Sequence, residues 1–127
     1  MRVEDTTSDD GMAKFEGGGQ RSSDEGKPQF THLLVTHMSY EDQPLTRAAA
    51  RMAEGAALYG ARNFEQFQDQ EALERCYASL MRHVHQLGEE VFRGTRVDSD
   101  DHLAAVVANA VMLGSVMHRV RRAEGGA

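Results

Sequence analysis

A single cysteine, Cys76, stands among 127 residues. One thiol excludes an internal disulfide framework and fits a reducing compartment. An excess of basic residues is also missing, since the formal net charge is -6 and the sequence pI is near 5.4. That balance excludes a nonspecific nucleic-acid binder, which needs a basic surface to displace counterions from phosphates. It does not exclude a nucleotide, because a metal ion brings phosphates to an acidic site. Residues 1–19 contain no apolar core of the kind a signal peptide carries. The longest apolar stretch, residues 103–117, is short for a membrane span and is interrupted by Asn109. An intracellular, soluble protein without nucleic-acid or membrane partners is therefore expected. Several catalytic motifs are absent too. There is no Gly-x-x-x-x-Gly-Lys-Ser/Thr phosphate loop, no His-Glu-x-x-His zinc helix and no Ser-His-Asp set.

What is present divides at about residue 26. Residues 1–26 are rich in Gly, Ser, Asp and Glu, with Gly17, Gly18 and Gly19 in a row. Such a segment buries too little apolar surface to offset its ordering entropy, so a disordered tail is expected. Residues 27–127 are expected to form one all-α domain of three main helices. The FTHLLVTHMSY segment (residues 30–40) opens it as a short strand or an extended arm.

Helix one is expected to begin near Pro44, with Asp42 or Gln43 as its cap, and to stop at Gly60. Helix two is expected over residues 69–92. There Leu73, Tyr77, Leu80, Val84, Leu87 and Val91 recur at spacings of three and four, and Gly94 is a natural stop. Helix three is expected from residues 98–101 to about Arg122, capped by Asp98 or Ser99. It is apolar on nearly every side between residues 103 and 117. In so small a domain, that pattern points to burial against a second subunit.

Asn109, inside AAVVANAVML, is the polar residue most in need of explanation. A buried amide without partners costs a few kcal/mol. A ligand, a metal-bound water or a partner side chain would satisfy it; the plainer alternative is a structural hydrogen-bond network. His102 lies seven residues earlier on the same face. His83 and Glu90 repeat the seven-residue spacing on helix two, where a solvated helix edge is the plainer alternative. Glu54 shares a side of helix one with Arg47 and Arg51, an arrangement that also suits a surface ion pair. Asp98, Asp100 and Asp101 suit a metal by their carboxylates and suit a helix start equally well.

Read together, DEGKPQF (residues 24–30), RAAARMAEGAALYGARNFE (residues 47–65), LMRH (residues 80–83) and DSDDHLAAVVANAVML (residues 98–113) resemble one family. That family is the phage-associated dATP/dGTP diphosphohydrolase N-terminal domain, similar in style to the all-α MazG-like NTP pyrophosphohydrolases. Phe64 stands where the family has Trp, and Gln66-Phe67 stand where it has Lys-Gly. The resemblance implies hydrolysis of purine (deoxy)nucleoside triphosphates to monophosphate and pyrophosphate, shaping a nucleotide pool in the cytoplasm, the host's where the gene is a phage's. It implies Mg2+, or Mn2+, held by Glu54, Glu90 and Asp101. It implies catalytic roles for His83, His102 and Asn109. Lys27 and Arg62 would then meet phosphates, and Tyr59, Asn63 and Phe64 the nucleoside. A homodimer or homotetramer is expected. The alternative reading is a non-catalytic nucleotide-binding or assembly protein on a degenerate copy of the fold.

Overall fold

The computed structural model describes residues 3–7, 12–15, 17–23, 25–96 and 98–125. The chain divides into two compact units, Met1–Leu33 and Leu34–Ala127. In the first unit, β1 (Val3–Thr7), β2 (Met12–Phe15) and β3 (Gln20–Ser22) pair antiparallel in the order β1-β2-β3. Met12 pairs with Ser22, Ala13 with Arg21 and Lys14 with Gln20. Gly17 and Gly18 both have positive φ and turn the chain between β2 and β3. Composition points to a disordered tail here; where the structure describes this segment, it places short strands. The glycine run that argued for disorder is also what a tight reversal requires. The unit ends in a 3-10 turn, Phe30–Leu33, where a strand or an extended arm was expected.

The second unit is the three-helix array expected from the sequence: α1 (Pro44–Tyr59), α2 (Gln70–Arg93) and α3 (His102–Ala123). Proline opens α1 and Gly60, at φ 93°, closes it. Neither expected cap acts on α1. Asp42 accepts from the Ser39 hydroxyl, and Gln43 turns its buried side chain backward. Its amide donates to the carbonyls of Val35 and Met38 and accepts from the Val35 amide, at 2.8–2.9 Å. One glutamine therefore satisfies three backbone groups of the apolar segment before α1, which needs no strand partner.

Asp69 caps α2 by accepting from the Ala72 amide, and Gly94 closes it in the left-handed region. Asp101, not Asp98 or Ser99, caps α3, accepting from the Ala104 amide at 3.1 Å. The helix starts later than expected because Asp98 is used otherwise, as described below.

α3 is the central element and packs against both α1 and α2. It holds His102, Ala104, Ala105, Ala108, Asn109, Val116 and Val120 buried, whereas α2 buries no residue fully. Two neighbours in the same chain therefore cover part of its apolar surface. By length and composition alone α3 would also suit a membrane span, a property it shares with core helices. Between α1 and α2, a 3-10 turn at Asn63–Gln66 is tied to α3 by Arg119. That guanidinium donates to the carbonyls of Phe64 and Phe67 and to the Ser115 hydroxyl.

Candidate functional site

The N-terminal end of α3 gathers the charged residues. Four carboxylates and imidazoles fall within five positions, Asp98 to His102, so a short irregular segment must point them at different partners. Asp101 receives a two-pronged contact from Arg47 of α1, at 2.6 and 2.7 Å. Asp100 receives Arg51, one helical turn further along α1. The spacing of four residues between Arg47 and Arg51 puts both on one face of α1, opposite consecutive aspartates. These bonds hold the Asp100 and Asp101 carboxyls below the usual range and raise both guanidinium pKa values.

His102 is nearly sealed, at 2% exposure. Its Nε2 lies 2.8 Å from Asp98 Oδ1, and its Nδ1 lies 2.9 Å from Nδ1 of His83 on α2. A carboxylate only accepts, so Nε2 of His102 carries the proton. In the neutral ring that leaves Nδ1 as the acceptor and makes His83 the donor. Burial lowers the His83 pKa, assisted by the Arg51 and His102 charges and opposed by Asp100. His83 is thus biased toward the neutral form, which an imidazole must adopt to bind a metal.

His83, Asp100 and His102 offer ligand atoms within 4.8 Å of one another, forming the one group among the described residues able to hold a metal ion. The donor set passes a chemical test of fit. A histidine ligand commonly gives its second ring nitrogen to a carboxylate that orients it, and Asp98 does this for His102. Two imidazoles and one carboxylate suit a first-row divalent ion better than Mg2+, which prefers oxygen donors.

The residues expected to ligate metal, Glu54, Glu90 and Asp101, surround Arg47 and Arg51 and do not form such a group of converging ligand atoms. Asp101 is held by Arg47 and by its capping bond, Glu90 lies 3.6 Å from Arg96, and Glu54 is exposed beside Arg51. Of the three aspartates at the start of α3, Asp100 joins the histidines. Sequence alone could not choose among them, because all three suit a helix start. Arg47 and Arg51, expected only as ion-pair partners beside Glu54, are bound to the aspartates instead, and their four-residue spacing was the available signal.

Asn109 needs no ligand for its donor. Its amide donates to the Ala105 carbonyl one turn back, at 2.7 Å, and no buried side-chain nitrogen or oxygen among the described residues lacks a partner. Tyr59, Arg62, Asn63 and Phe64 lie at the other end of the helical unit, near Arg119. From His102 to Arg119 is seventeen residues of α3, about 26 Å. Arg62 adopts left-handed backbone, pairs with Glu65 at 2.7 Å and leaves 75% of its side chain exposed. Lys27 belongs to the other unit and is exposed.

Comparison with curated proteins gives no match, and neither does comparison with solved structures. A family model described as dATP/dGTP diphosphohydrolase, N-terminal, matches residues 17–124, a span that takes in all three helices, the Tyr59–Phe64 segment and the histidine–aspartate cluster. The chain therefore belongs to the dATP/dGTP diphosphohydrolase N-terminal family.

Proposed function

We propose that this chain hydrolyses purine deoxynucleoside triphosphates, releasing nucleoside monophosphate and pyrophosphate, at the N-terminal end of α3. The observation that supports it most is the His83–Asp100–His102 group set beside Arg47 and Arg51, in a chain of this family. His83, Asp100 and His102 would hold a divalent ion, Mn2+ in preference to Mg2+ on the donor chemistry. When bound, that ion supplies positive charge against the phosphate oxygens and acidifies water. Arg47 and Arg51 are positioned to release their aspartates in part and donate to a triphosphate, which carries more charge than a carboxylate. Asp98 fixes the His102 ring, and burial keeps solvent from competing for it. Any Mg2+ would arrive on the nucleotide, held mainly by its phosphates. The setting would be the cytoplasm, and the effect a change in the nucleotide pool.

A second reading has support in one observation. Asp100 and Asp101 are already ion-paired with Arg51 and Arg47, and Glu90 with Arg96, so the chain would bind a nucleotide without cutting it. Incubation with dATP, dGTP and the other triphosphates, in Mg2+ or Mn2+, separates the two when products are resolved by ion exchange. Monophosphate with pyrophosphate supports hydrolysis. Nucleotide that binds but stays intact in both metals supports the second reading, and release of orthophosphate counts against both.

A further inference from the structure

Arg47 and Arg51 hold their aspartates in different ways. Arg47 meets both oxygens of Asp101 through Nε and Nη2, and Asp101 also caps α3. Asp101 lies outside the metal group, so no ion competes for that pair. Arg51 makes a single bond, from Nη1 to Oδ1 of Asp100, and its other nitrogens donate to no residue among those described. The same Oδ1 accepts from the Asp101 amide at 2.9 Å. Oδ2 of Asp100 accepts no hydrogen bond among the described residues. Asp100 is also the one carboxylate of the metal group, so guanidinium and ion must share it.

That sharing has an electrostatic consequence. A divalent ion and the guanidinium would bring three positive charges to one negative, with neutral imidazoles completing the donor set. The neighbouring aspartates are committed elsewhere, Asp101 to Arg47 and Asp98 to His102. Arg51 already bears on a ring that the ion would join. Burial lowers the His83 pKa most, and the Arg51 charge is the largest electrostatic contribution in the same direction. Like charges this close weaken binding of the ion while Arg51 stays where it is. Arg51 is free to turn, because its side chain is half-buried and held by one bond. An anion supplies the missing negative charge and gives the planar guanidinium a partner in place of Asp100.

We propose that Arg51 couples the metal site to the phosphates: it holds Asp100 in the metal-free chain, and its transfer from Asp100 to a phosphate oxygen makes ion and anion binding mutually reinforcing. This coupling rests on the reading of the site as a metal-dependent triphosphate site, and it gives Arg51 and Arg47 different parts there. Arg47 anchors the start of α3 to α1. Arg51 is the movable charge. Such a coupling is reciprocal, so the factor by which the anion tightens the ion is the factor by which the ion tightens the anion.

The test uses the full chain. Titration calorimetry with Mn2+ alone reads the competition for Asp100. Arg51→Gln should bind Mn2+ about tenfold more tightly than the wild type. Arg47→Gln removes the same charge from the neighbouring pair and should change the affinity by less than about threefold. The anion side is read with inorganic tripolyphosphate in EDTA, where no metal can carry it. Asp100→Asn releases Arg51 and should bind tripolyphosphate about tenfold more tightly than the wild type. Glu54→Gln removes a charge that acts on Arg51 without releasing a bond, and should gain less. Phenylglyoxal labelling, located by mass spectrometry, should modify Arg51 of the wild type faster in Mn2+ than in EDTA, and Arg47 equally in both. The labelling uses the unaltered chain, so it decides the matter even where a substitution harms the fold. Arg51→Gln with no gain in Mn2+ affinity, Asp100→Asn with no gain beyond Glu54→Gln, or equal labelling of Arg51 in both solutions would each overturn the coupling and leave the hydrolytic reading standing. A wild type that binds no Mn2+ would remove the metal site, and the proposed hydrolysis with it.

Discussion

Replacing His83 with alanine tests the metal site most directly. In the metal-free protein the change leaves Nδ1 of His102, almost sealed from solvent, without its 2.9 Å partner. Leaving a buried acceptor unpaired costs about 1–3 kcal/mol. Unfolding of a helical unit of 94 residues (34 to 127) shifts in midpoint by roughly 4–8 °C per kcal/mol. The metal-free variant should therefore melt several degrees to about 20 °C lower. Metal then separates a ligand from a merely structural histidine. An ion at one hundred times its Kd stabilises the native state by about 2.7 kcal/mol, so Mn2+ should raise the wild-type midpoint by roughly 10–20 °C over EDTA. Mg2+ at the same concentration should raise it far less, because two of the three donors are imidazoles. His83→Ala should lose the Mn2+ increment altogether. His83→Gln, which keeps a polar partner for His102, should recover part of the metal-free stability and little of the Mn2+ response. Scanning calorimetry in EDTA, Mg2+ and Mn2+ reads all of these. A wild-type midpoint that Mn2+ leaves unmoved, or an equal Mn2+ increment in His83→Ala, would refute the site.

Asp101→Ala removes a helix cap worth about 1 kcal/mol and the Arg47 pair, which at its exposure adds no more than about 1 kcal/mol. Asp101→Asn, which can still cap, should lose roughly half as much, read from urea midpoints. With pH, burial lowers the His83 pKa in the folded chain, so the unfolded chain takes up its proton first as pH falls. Stability should be full above His83's ordinary value of 6.5 and decline as pH falls below it, a limb that His83→Gln should flatten in thermal melts. Asp100 and Asp101 have lowered folded values, so what they contribute is present above their ordinary 3.8 and lost as pH falls through the folded values. Arg119→Ala removes the guanidinium bonds to the carbonyls of Phe64 and Phe67 and should loosen the turn between α1 and α2. Hydrogen exchange at residues 63–67 should quicken while the Mn2+ response of the histidine site, about 26 Å away, stays the same. A matching loss of metal response would show the two ends to be coupled.

The sequence by itself determined the three helices and their ends, within a residue or two except at the start of α3, which lies two to three residues later than its expected cap implied. Pro44, Gly60 and Gly94 act through local backbone conformation, which needs no distant partner. It also pointed to burial of α3 on more than one side, since a helix apolar on several sides must be covered on several sides. Which surfaces of this chain cover it was not legible: packing brings both α1 and α2 against it. Periodicity placed Tyr77, Val84 and Val91 on one stripe with Leu73, Leu80 and Leu87. Only packing showed that the leucines are half-buried while Tyr77, Val84 and Val91 stay open. The site divides in the same way. His83 and His102 could be picked out as polar residues flanking apolar stripes. Their 2.9 Å approach, the choice of Asp100 over Asp101, and the roles of Arg47 and Arg51 depend on contacts between residues 19 to 54 positions apart. Asn109 drew attention because a buried amide must be satisfied, and the Ala105 carbonyl one turn back satisfies its donor. Local chemistry is written along the chain, but the pairing of charges and ring nitrogens is set by how α1 and α2 lie against the start of α3, and that is a property of the folded molecule.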